Sequence, residues 1–580
     1  MLSRALVFLV AAAALAVSAE PEFHREIVYA PMKDGVKLAM IVYRPRAEGR
    51  YPAVLQYDAY DSGGMAAAGW VLDFLKRGYA VVGANVRGSG CSGGSFSILQ
   101  PQEGRDGAAL VEWIGSRPWC DGNVGMYGNS YRGHVQIMVA AERPRFLKAL
   151  AAGGLTSDLY TEAFRPGGLF NVSFAAFWGF KAQPFAGRQG AELRMKLGDP
   201  ECGATLSARP PNRTYYEVRD HALYDDYWKE RALQERVAAV TTPTLIFQGW
   251  QDQQTAMGGT RLFAGLKGPK KMILSNGGHG AFGWSTSRAQ SIRWMDRWLK
   301  GEPNGIDREP AVTVAFETRI ADGEPKPGWT AAFADWPAPQ VQWSTFHLTA
   351  DGRLSPSPVT KEESGQRTYV FPVGTELTGD NAVFANAPAP LGTLAYRTAP
   401  LQEDVALLGS AQLTLYAGSE RSDTDFMVVL HDVNARDETT YVQRAFLRAS
   451  HRAVDAARSS VHRVVHRHDR MEALKPGVVY EIKLSMTDAG HVFRRGHRIE
   501  LAIMAPSATP SPDWGPMPLD LAGVNTVYHS AQHPSQLKIP VVPGLKAQGP
   551  EPKCGELAGA GLFQPCRQPG PEANTAARMR

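Results

Sequence analysis

The spacing of hydrophobic positions changes along the chain and predicts regions of different structure. Over residues 20–144 and again over 241–305, short apolar runs of strand type alternate with stretches in which apolar residues recur at helical spacing. Strands that alternate with helices favour a mostly parallel sheet of the α/β type. We therefore predict one α/β domain built from these two segments.

The remaining segments have other patterns. Residues 145–240 are dense in aromatic side chains and show no clear strand, which predicts a helical insertion, or cap. Over residues 310–545, short apolar runs recur between Gly, Pro and Asp turns, as is typical of an all-β, jelly-roll-like sandwich. Residues 546–580 are rich in Gly, Pro and Ala, and we predict a disordered tail there.

The first residues predict export. One arginine, Arg4, precedes an uncharged apolar run that ends in small residues, which is the pattern of a signal peptide cleaved after Ala19. The run is short for a membrane span, which needs about 20 apolar residues. We expect residues 1–19 to be removed and the mature protein, beginning near Glu20, to be periplasmic or secreted, with no membrane attachment.

Composition and charge narrow the classes of function. A formal net charge of +5 on 580 residues is too small to indicate nucleic-acid binding. The chain has five cysteines, an odd number; we favour a bridge between Cys554 and Cys566, with two free thiols as the alternative. No Cys/His group has the spacing of a zinc site, so neither a metal nor a cofactor is predicted.

Residues 124–133, VGMYGNSYRG, carry the clearest chemical signal. An apolar strand stops at Gly128-Asn129-Ser130 and a helical pattern follows, which is the context of a nucleophile elbow. In such a turn the serine hydroxyl projects from the sheet, and the following helix directs its N–H groups at developing negative charge. Arg132 stands where the G-x-S-x-G pattern has its last glycine, and a polar β–α turn is the alternative interpretation.

A serine nucleophile needs a base, and the base needs an acid that orients it. After Ser130 the chain offers Asp252 in QGWQD and His279 in NGGHG, each directly after a predicted core strand. This is the chain order of α/β hydrolases, and loops after parallel strands meet at one edge of the sheet. We predict that Ser130, Asp252 and His279 form a triad, although a histidine in a glycine loop is by itself more often structural.

The stretch EGRDGAALVEWIGSRPWCDGNVGMYGNSYRG resembles the CocE/NonD and X-Pro dipeptidyl-peptidase (peptidase S15) family of serine hydrolases. The elbow of that family, G-x-S-Y-x-G, matches residues 128–133, and its acid motif, G-W-x-D, matches residues 249–252. Its histidine, in a short loop before a Trp-containing segment, matches His279. The resemblance covers about residues 25–543, although Asn85 stands where many members have Asp.

The resemblance implies an α/β-hydrolase fold with a helical cap and a C-terminal sandwich, and serine chemistry without a cofactor. It also implies an oxyanion hole made by the Tyr131 N–H and the Tyr60 hydroxyl, although this chain has Ala59 where the family has Pro. In the implied mechanism the histidine accepts the serine proton, the aspartate orients the imidazole, and water cleaves the acyl-enzyme. A strand-end aromatic that packs on the core is the alternative role for Tyr60.

Substrate selection is expected to depend on the aromatic insertion. Asp158 and Glu162, spaced i,i+4, are candidates to bind a substrate ammonium, with a solvated helix face as the favoured alternative. The acid loop has only glutamines beside the aspartate, at positions 251, 253 and 254, so no acidic cluster for α-amino substrates is evident. Aromatic candidates for an apolar pocket, for most of which the cap core is the alternative, are Phe164, Phe170, Phe174, Phe177, Trp178, Phe180 and Trp250.

Residues 444–470 contain four histidines and several arginines. A metal or polyanion site is one interpretation, and an exposed strand edge or loop of the sandwich is the favoured one. For the whole chain we predict an exported serine hydrolase that cleaves small acyl esters through an acyl-enzyme on Ser130. The alternatives are a peptide or amide hydrolase of the X-Pro dipeptidyl-peptidase, acylase or α-amino-acid ester hydrolase type, and a binding protein on an inactive hydrolase fold.

Overall fold

The computed structural model describes residues 23–252, 254–255, 258–372, 390–506, 519, 521–559 and 561–569. The predicted signal peptide and Gln253 lie outside these residues. Among the described residues, no helix combines the length and the apolar character that crossing a membrane requires.

A twisted sheet of ten strands organises the first part of the described chain, in the order β1-β2-β4-β3-β5-β6-β7-β8-β9-β12. Its strands, with the hairpin β10–β11 between the last two, are β1 (Phe23–Pro31), β2 (Lys37–Pro45), β3 (Tyr51–Asp58), β4 (Ala80–Asn85), β5 (Cys120–Asn129), β6 (Leu147–Gly153), β7 (Thr244–Gly249), β8 (Lys270–Ser275), β9 (Val312–Phe316), β10 (Arg319–Ala321), β11 (Glu324–Lys326) and β12 (Trp329–Phe333). The seven strands from β4 to β9 in this order pair in parallel. Every residue of strands such as β4 (AVVGAN) and β7 (TLIFQG) is buried, as expected for parallel strands with both faces covered.

Helices either cover this sheet or build the cap. They are α1 (Trp70–Lys76), α2 (Pro101–Gly115), α3 (Tyr131–Ala141), α4 (Val172–Ala176), α5 (Gly187–Lys196), α6 (Cys202–Ser207), α7 (Thr214–Asp220), α8 (Asp226–Lys229), α9 (Gly258–Gly265) and α10 (Ser285–Leu299). Short 3-10 segments are Ser62–Gly64, Pro166–Gly168, Leu233–Glu235, Val237–Ala239, His279–Gly283, Ile306–Arg308, Pro390–Gly392 and Ala449–His451, and π-helical segments are Tyr160–Phe164 and Phe177–Ala186.

Two antiparallel sheets form the C-terminal part and share one apolar core, to which Leu413, Val428, Leu501 and Ile539 belong. Their strands are β13 (Gln342–Leu348), β14 (Leu354–Ser355), β15 (Gly365–Phe371), β16 (Thr393–Arg397), β17 (Val405–Gly409), β18 (Gln412–Ser419), β19 (Asp425–Val433), β20 (Thr439–Arg448), β21 (Tyr480–Ser485), β22 (Ala489–Phe493), β23 (Arg498–Met504), β24 (Gly523–His529) and β25 (Gln536–Val541). The predicted fold class, an α/β hydrolase with a C-terminal β-sandwich, is confirmed, whereas the jelly-roll connection order stays a prediction.

Two boundaries from the sequence need correction. The segment 145–240 begins with a strand, β6, which lies between β5 and β7, so the helical cap starts only after Gly153. The sequence of β6, LKALAAG, did not predict a strand because alanine has low strand propensity. Small residues nevertheless fit a strand that is buried on both faces. At the other boundary, β9 and β12 follow residue 310 but extend the large sheet instead of the sandwich, because β9 pairs with β8 in parallel.

The prediction of a disordered tail is wrong for residues 546–559 and 561–569. Three short strands follow one another there, β26 (Ala558–Gly559), β27 (Leu562–Phe563) and β28 (Cys566–Arg567), and β28 pairs with β20 of the sandwich. The favoured Cys554–Cys566 bridge is present and closes this segment into a loop. Composition pointed to disorder because it does not register a cross-link or the backbone pairing offered by an edge strand.

A second disulfide, which the sequence did not reveal, ties the cap to the α/β domain. Cys91 lies in the loop after β4 and Cys202 begins α6, and the two are bridged, while Cys120 is a buried free thiol. Nearby, Arg194 on α5 donates from Nε to Asp199 Oδ2 at 2.6 Å and from Nη1 to the carbonyl of Met40 at 2.5 Å. Both side chains of this ion pair are fully buried, so the cap is held by a cross-link and by a buried charge pair.

Removal of the arginine should destabilise the fold strongly. The substitution Arg194→Met leaves the Asp199 carboxylate buried without its cation, and we expect the free energy of unfolding to fall by about 3–5 kcal/mol. The matched control is Arg188→Met on the same helix, whose exposed pair with Glu192 contributes about 0–1 kcal/mol. Guanidinium unfolding of the three proteins measures both effects, and equal stabilities of the two variants would contradict the prediction.

Candidate active site

Ser130 lies in the turn between β5 and α3, in a backbone conformation that side chains rarely adopt. Its φ is 62° and its ψ is −130°, and its N–H donates to the Gly153 carbonyl at 2.9 Å. A Cβ at Gly133 would approach the same carbonyl to 2.6 Å, so α3 packs on β6 more closely than a side chain would permit. The close packing therefore requires glycine at position 133. In the G-x-S-x-G pattern the last glycine would fall one position earlier, where this chain has Arg132.

Asp252 and His279 follow the neighbouring strands β7 and β8, as the sequence predicts. His279 Nδ1 lies 2.9 Å from Asp252 Oδ2 and 3.1 Å from Oδ1. The carboxylate also accepts hydrogen bonds from the Thr255 hydroxyl at 2.5 Å and from the Gln254 N–H at 3.0 Å. Burial by itself would raise the Asp252 pKa, but the His279 charge and these hydrogen bonds hold it below its usual value. Asp252 is thus an anion behind the imidazole.

Ser130 and His279 border one cavity of about 680 Å³ at the carboxyl edge of the parallel sheet. The His279 carbonyl accepts a hydrogen bond from Asn129 Nδ2 at 2.9 Å, which joins the histidine loop to the residue before the serine. A volume of several hundred Å³ suits a small organic ligand. The structure therefore brings the predicted serine and histidine to one solvent-accessible site, with the aspartate directly behind.

Tyr60 reaches the same cavity, which Ser130 also borders. Burial raises the Tyr60 pKa far above its usual value, against the lowering effects of Ser130 and Arg132, so the phenol keeps its proton and remains a donor. Asn85 Nδ2 donates to the Tyr60 carbonyl at 3.0 Å and to Asp58, while Asn85 Oδ1 accepts from Gly63 N–H. Asn85 stands where many family members have Asp, and its side-chain amide holds the tyrosine loop through these hydrogen bonds.

Arg132 adds a cation beside the cavity, and that charge is neutralised. It forms ion pairs with Asp58 and Asp61, and its guanidinium lies 5.3 Å from the centre of the Tyr60 ring. The Tyr60 ring in turn stacks on Trp178, with 5.6 Å between ring centres. The arginine that interrupts the elbow motif therefore packs against the tyrosine ring while two carboxylates neutralise its charge.

His134 is a neighbour of Ser130 that sequence reasoning missed. Its Nε2 accepts a hydrogen bond from Thr156 N–H at 2.8 Å, so its Nδ1 carries the proton and donates to the Ser130 carbonyl at 2.6 Å. Burial lowers the His134 pKa to about 4, so the ring is neutral at physiological pH. The i,i+4 spacing of positions 130 and 134 could have indicated this contact, because residues one helical turn apart are neighbours.

Tyr131, the second predicted oxyanion residue, begins α3. Backbone N–H groups in the first turn of a helix have no intrahelical acceptor, so the Tyr131 N–H is free to bind an oxyanion. Its phenol instead points into the core and donates to Glu103 Oε1 and Oε2, each at 2.7 Å. Burial raises the Glu103 pKa to about 8, against the lowering effect of the Tyr131 hydrogen bond. A neutral carboxyl group thus anchors the residue after the serine.

The aromatic pocket candidates divide into two groups. Phe174, Phe177 and Trp178 line the cavity, as predicted. The other four do not line it and need correction. Phe164 is buried against Phe174 and Trp228, and Phe170 stacks on the Arg165 guanidinium; Phe180 is 55% exposed, and Trp250 packs on Trp336. Spacing alone could not separate the groups because π-helical turns at Tyr160–Phe164 and Phe177–Ala186 shift which residues share a face.

Asp158 and Glu162 are not on a solvated helix face, and they are not on the cavity wall. Both are buried, with 2% and 1% of their surfaces exposed. Asp158 accepts from the Gln234 amide at 3.1 Å, and Glu162 accepts from the Ser157 hydroxyl and pairs with Arg261. Their oxygens are occupied by protein donors, so neither carboxylate is available to a substrate ammonium.

In the histidine-rich region 444–470, His451 and His468 are buried against the cap. Residues 452–464 between them include no buried residue and form a loop, as the favoured interpretation expected. His451 Nδ1 and His468 Nδ1 lie 3.1 Å apart, and burial lowers the pKa of both rings, that of His451 to about 4. Within the described part of the chain, the ligand geometry of a metal site occurs at Cys91, Asp199 and Cys202, where the cysteines are already bridged. The region packs the sandwich on the cap, and its Arg463 and His466 border a separate polar cavity of about 120 Å³.

Comparison with known proteins agrees with this geometry. Residues 34–281 match the X-Pro dipeptidyl-peptidase (S15 family) pattern, and residues 304–538 match the X-Pro dipeptidyl-peptidase C-terminal non-catalytic domain. The chain belongs to this family of serine hydrolases. The cocaine esterase of Rhodococcus sp. (strain MB1 Bresler) is 27% identical to this S15 family member over 587 residues, which cover 89% of this chain and 98% of the esterase.

Solved structures agree on the fold of this S15 family member. A CocE/NonD family hydrolase from Staphylococcus aureus superposes with a TM-score of 0.74 at 21% identity, over 90% of this chain and 94% of that one. An alpha-amino acid ester hydrolase superposes with a TM-score of 0.70 at 20% identity, over 91% and 98% of the two chains. At these identities the likeness concerns the fold and leaves substrate choice to the site itself.

The raised Glu103 pKa predicts a pH dependence of stability. The unfolded carboxyl titrates near pH 4.3, whereas burial holds the folded pKa at about 8, so the folded protein binds the extra proton between these values. Its contribution to stability is therefore present below about pH 4.3 and is lost as pH rises towards about pH 8. We expect Glu103→Gln to make the free energy of unfolding fall less between about pH 5 and pH 8. Urea unfolding across that range measures the slopes, and identical slopes would refute the assignment.

Proposed function

We propose that this S15 family member is an exported serine esterase that cleaves small, largely apolar acyl esters through an acyl-enzyme on Ser130. The observation that carries the proposal is the cavity bordered by both Ser130 and His279, with Asp252 2.9 Å behind the imidazole. Its aromatic wall offers an apolar acyl or aryl group a matching surface. The apolar N-terminal run that ends at Ala19, together with the two disulfides, supports export, because disulfides persist in oxidising compartments.

The proposed reaction uses groups of the chain itself. Ser130 Oγ attacks the ester carbonyl carbon while His279 Nε2 takes its proton, because Nδ1 faces Asp252. The Tyr60 hydroxyl and the Tyr131 N–H stabilise the oxyanion, and the imidazolium then returns the proton to the departing alcohol. Water, activated by the same imidazole, attacks the acyl carbon and releases the acid and Ser130.

The charges around the cavity favour an ester over an N-terminal dipeptide. Among the described residues that line it there is no carboxylate; the charged side chains are Arg132, which two aspartates neutralise, and Lys181. A substrate ammonium in this cavity would lie near cations and would find no carboxylate to pair with. A buried charge without a partner is unfavourable. Asp158 and Glu162, the candidates for that partner, are already hydrogen-bonded elsewhere. X-Pro dipeptidyl-peptidase activity is therefore the second candidate, supported by family membership alone.

The serine should be indispensable for ester hydrolysis. In Ser130→Ala no acyl-enzyme can form, and we expect kcat on a short-chain p-nitrophenyl ester to fall by on the order of 10⁶-fold. The assay runs an Xaa-Pro-p-nitroanilide in parallel. Anilide turnover that depends on Ser130 would favour the peptidase, and equal rates for wild type and variant would refute the nucleophile assignment. A wild-type serine inert to a fluorophosphonate probe would support a binding protein on an inactive hydrolase fold.

Tyr60→Phe tests the proposed oxyanion hole. The variant keeps the ring that stacks on Trp178 but loses the donor, so we expect the activation barrier to rise by about 2.7–4 kcal/mol. Steady-state kinetics should show the loss in kcat with little change in KM, because an oxyanion exists only in the transition state. Tyr127→Phe is the matched control, since that phenol belongs to the core on the other face of the sheet. Unchanged kcat in Tyr60→Phe would remove this tyrosine from the mechanism.

A further inference from the structure

The C-terminal segment, residues 546–559 and 561–569, lies outside both family matches, which end at residue 538. It nevertheless contacts the loop that carries His279. The histidine loop, residues 276–279, connects β8 to the 3-10 turn, and Gly278 N–H donates to the Gly561 carbonyl at 2.8 Å. Gly277 and Leu562 form an antiparallel bridge at the same place. The segment therefore pairs with the histidine loop through one hydrogen bond and one isolated β-bridge.

Packing reinforces this backbone contact. A Cβ at Gly278 would come within 2.1 Å of the Phe563 ring, so the ring lies directly on the glycine backbone. Leu562 is 2% exposed, which shows that the contact is a packed interface and not a surface touch. Because Gly278 is itself buried, its N–H would lack a partner without the Gly561 carbonyl, and an unpaired buried N–H is unfavourable.

The other attachments of the histidine loop come from the acid loop and from the backbone just after β9. Asn276 pairs with the backbone of Thr318 in both directions, at 2.7 and 3.0 Å. The Gly277 carbonyl accepts from Gln251 N–H at 3.2 Å, next to Asp252. The Gly277 carbonyl and the Gly278 N–H belong to one trans peptide unit and point in opposite directions, so the acid loop and the C-terminal segment hold the histidine loop from opposite sides.

The segment is itself anchored at two ends. The Cys554–Cys566 bridge closes it, and Tyr441 N–H on β20 donates to the Pro565 carbonyl at 3.0 Å. At its start, Glu551 accepts from Asn434 Nδ2 at 3.1 Å. The cross-link and the contacts with the sandwich restrict the conformations of the segment. A segment restricted in this way can hold the histidine loop in one position.

We propose that the C-terminal segment is a positioning element for His279, closed by the Cys554–Cys566 bridge and acting through Gly561, Leu562 and Phe563. This inference rests on the proposed role of His279 as the base. Its physical basis is the sensitivity of acyl transfer to alignment, since a shift of about 1 Å at a catalytic group can lower the rate by about 100-fold.

The test uses two variants of the full-length protein. Cys554→Ser/Cys566→Ser opens the loop, and Phe563→Ala removes the ring from Gly278 while keeping the bridge, which guards against a failure of the first variant to fold. Gln568→Ala is the matched control, because it changes the same segment at an exposed side chain directed at Glu438. Thermal unfolding verifies that each protein is folded.

Two measurements decide the outcome. Amide hydrogen exchange of the peptide that contains residues 276–283 should become about tenfold faster in both variants, because the hydrogen bond from Gly278 N–H to the Gly561 carbonyl opens more often when the segment is held less firmly. On a p-nitrophenyl ester, kcat should fall about tenfold with KM nearly unchanged. The acid limb of the kcat/KM profile should move to lower pH, since a looser His279–Asp252 pair stabilises the imidazolium less.

Wild-type exchange in both variants would overturn the proposal, and so would faster exchange with wild-type kcat and pH profile. A loss of kcat that follows only the fraction of unfolded protein, with an unmoved pH profile, would also overturn it. Failure of the proposed function is distinguishable, because Ser130→Ala would then retain activity, while the exchange measurement would still report whether the segment orders the loop.

Discussion

The close approach of α3 to β6 holds the Ser130 backbone at a φ of 62°. A residue with a side chain remains in that region only when its surroundings impose it. Here the Gly153 carbonyl accepts the Ser130 N–H, and His134 holds the Ser130 carbonyl. Gly133 has no side chain, and this absence lets α3 and β6 approach each other closely. The direction of the hydroxyl therefore follows from packing several residues away.

Electrostatics around this turn follow one rule, which is that every buried charge has a partner. Arg132 is matched by Asp58 and Asp61, and the Asp252 anion by His279 and donors of its own loop. Glu103 keeps its proton instead, because burial raises its pKa by more than the Tyr131 hydrogen bond and the Arg231 charge lower it. The serine thus sits between a neutralised cation and an oriented imidazole, in a cavity that is otherwise apolar.

Parts of the chain that are distant in sequence hold the cavity walls. The Cys91–Cys202 bridge and the buried Arg194–Asp199 pair attach the cap, whose Trp178 stacks on Tyr60. On the opposite side, the sandwich and the C-terminal segment support the loops of Asp252 and His279. Gln443 on β20 donates to the Trp250 carbonyl at 2.8 Å, and Gly278 donates to the C-terminal segment. The site is therefore shaped jointly by the cap, the sheet and the sandwich.

The sequence by itself determined the local features of this protein. Hydrophobic spacing predicted the α/β core and the later all-β region, and a strand–serine–helix pattern located Ser130, because periodicity and turn chemistry are local properties. The sequence also placed Asp252 and His279 directly after predicted core strands. Only the tertiary structure decided that β6 belongs to the sheet, that Glu162 pairs with Arg261, and that the C-terminal segment reaches the histidine loop. Those outcomes depend on which distant surfaces meet, and no spacing within a single segment records that.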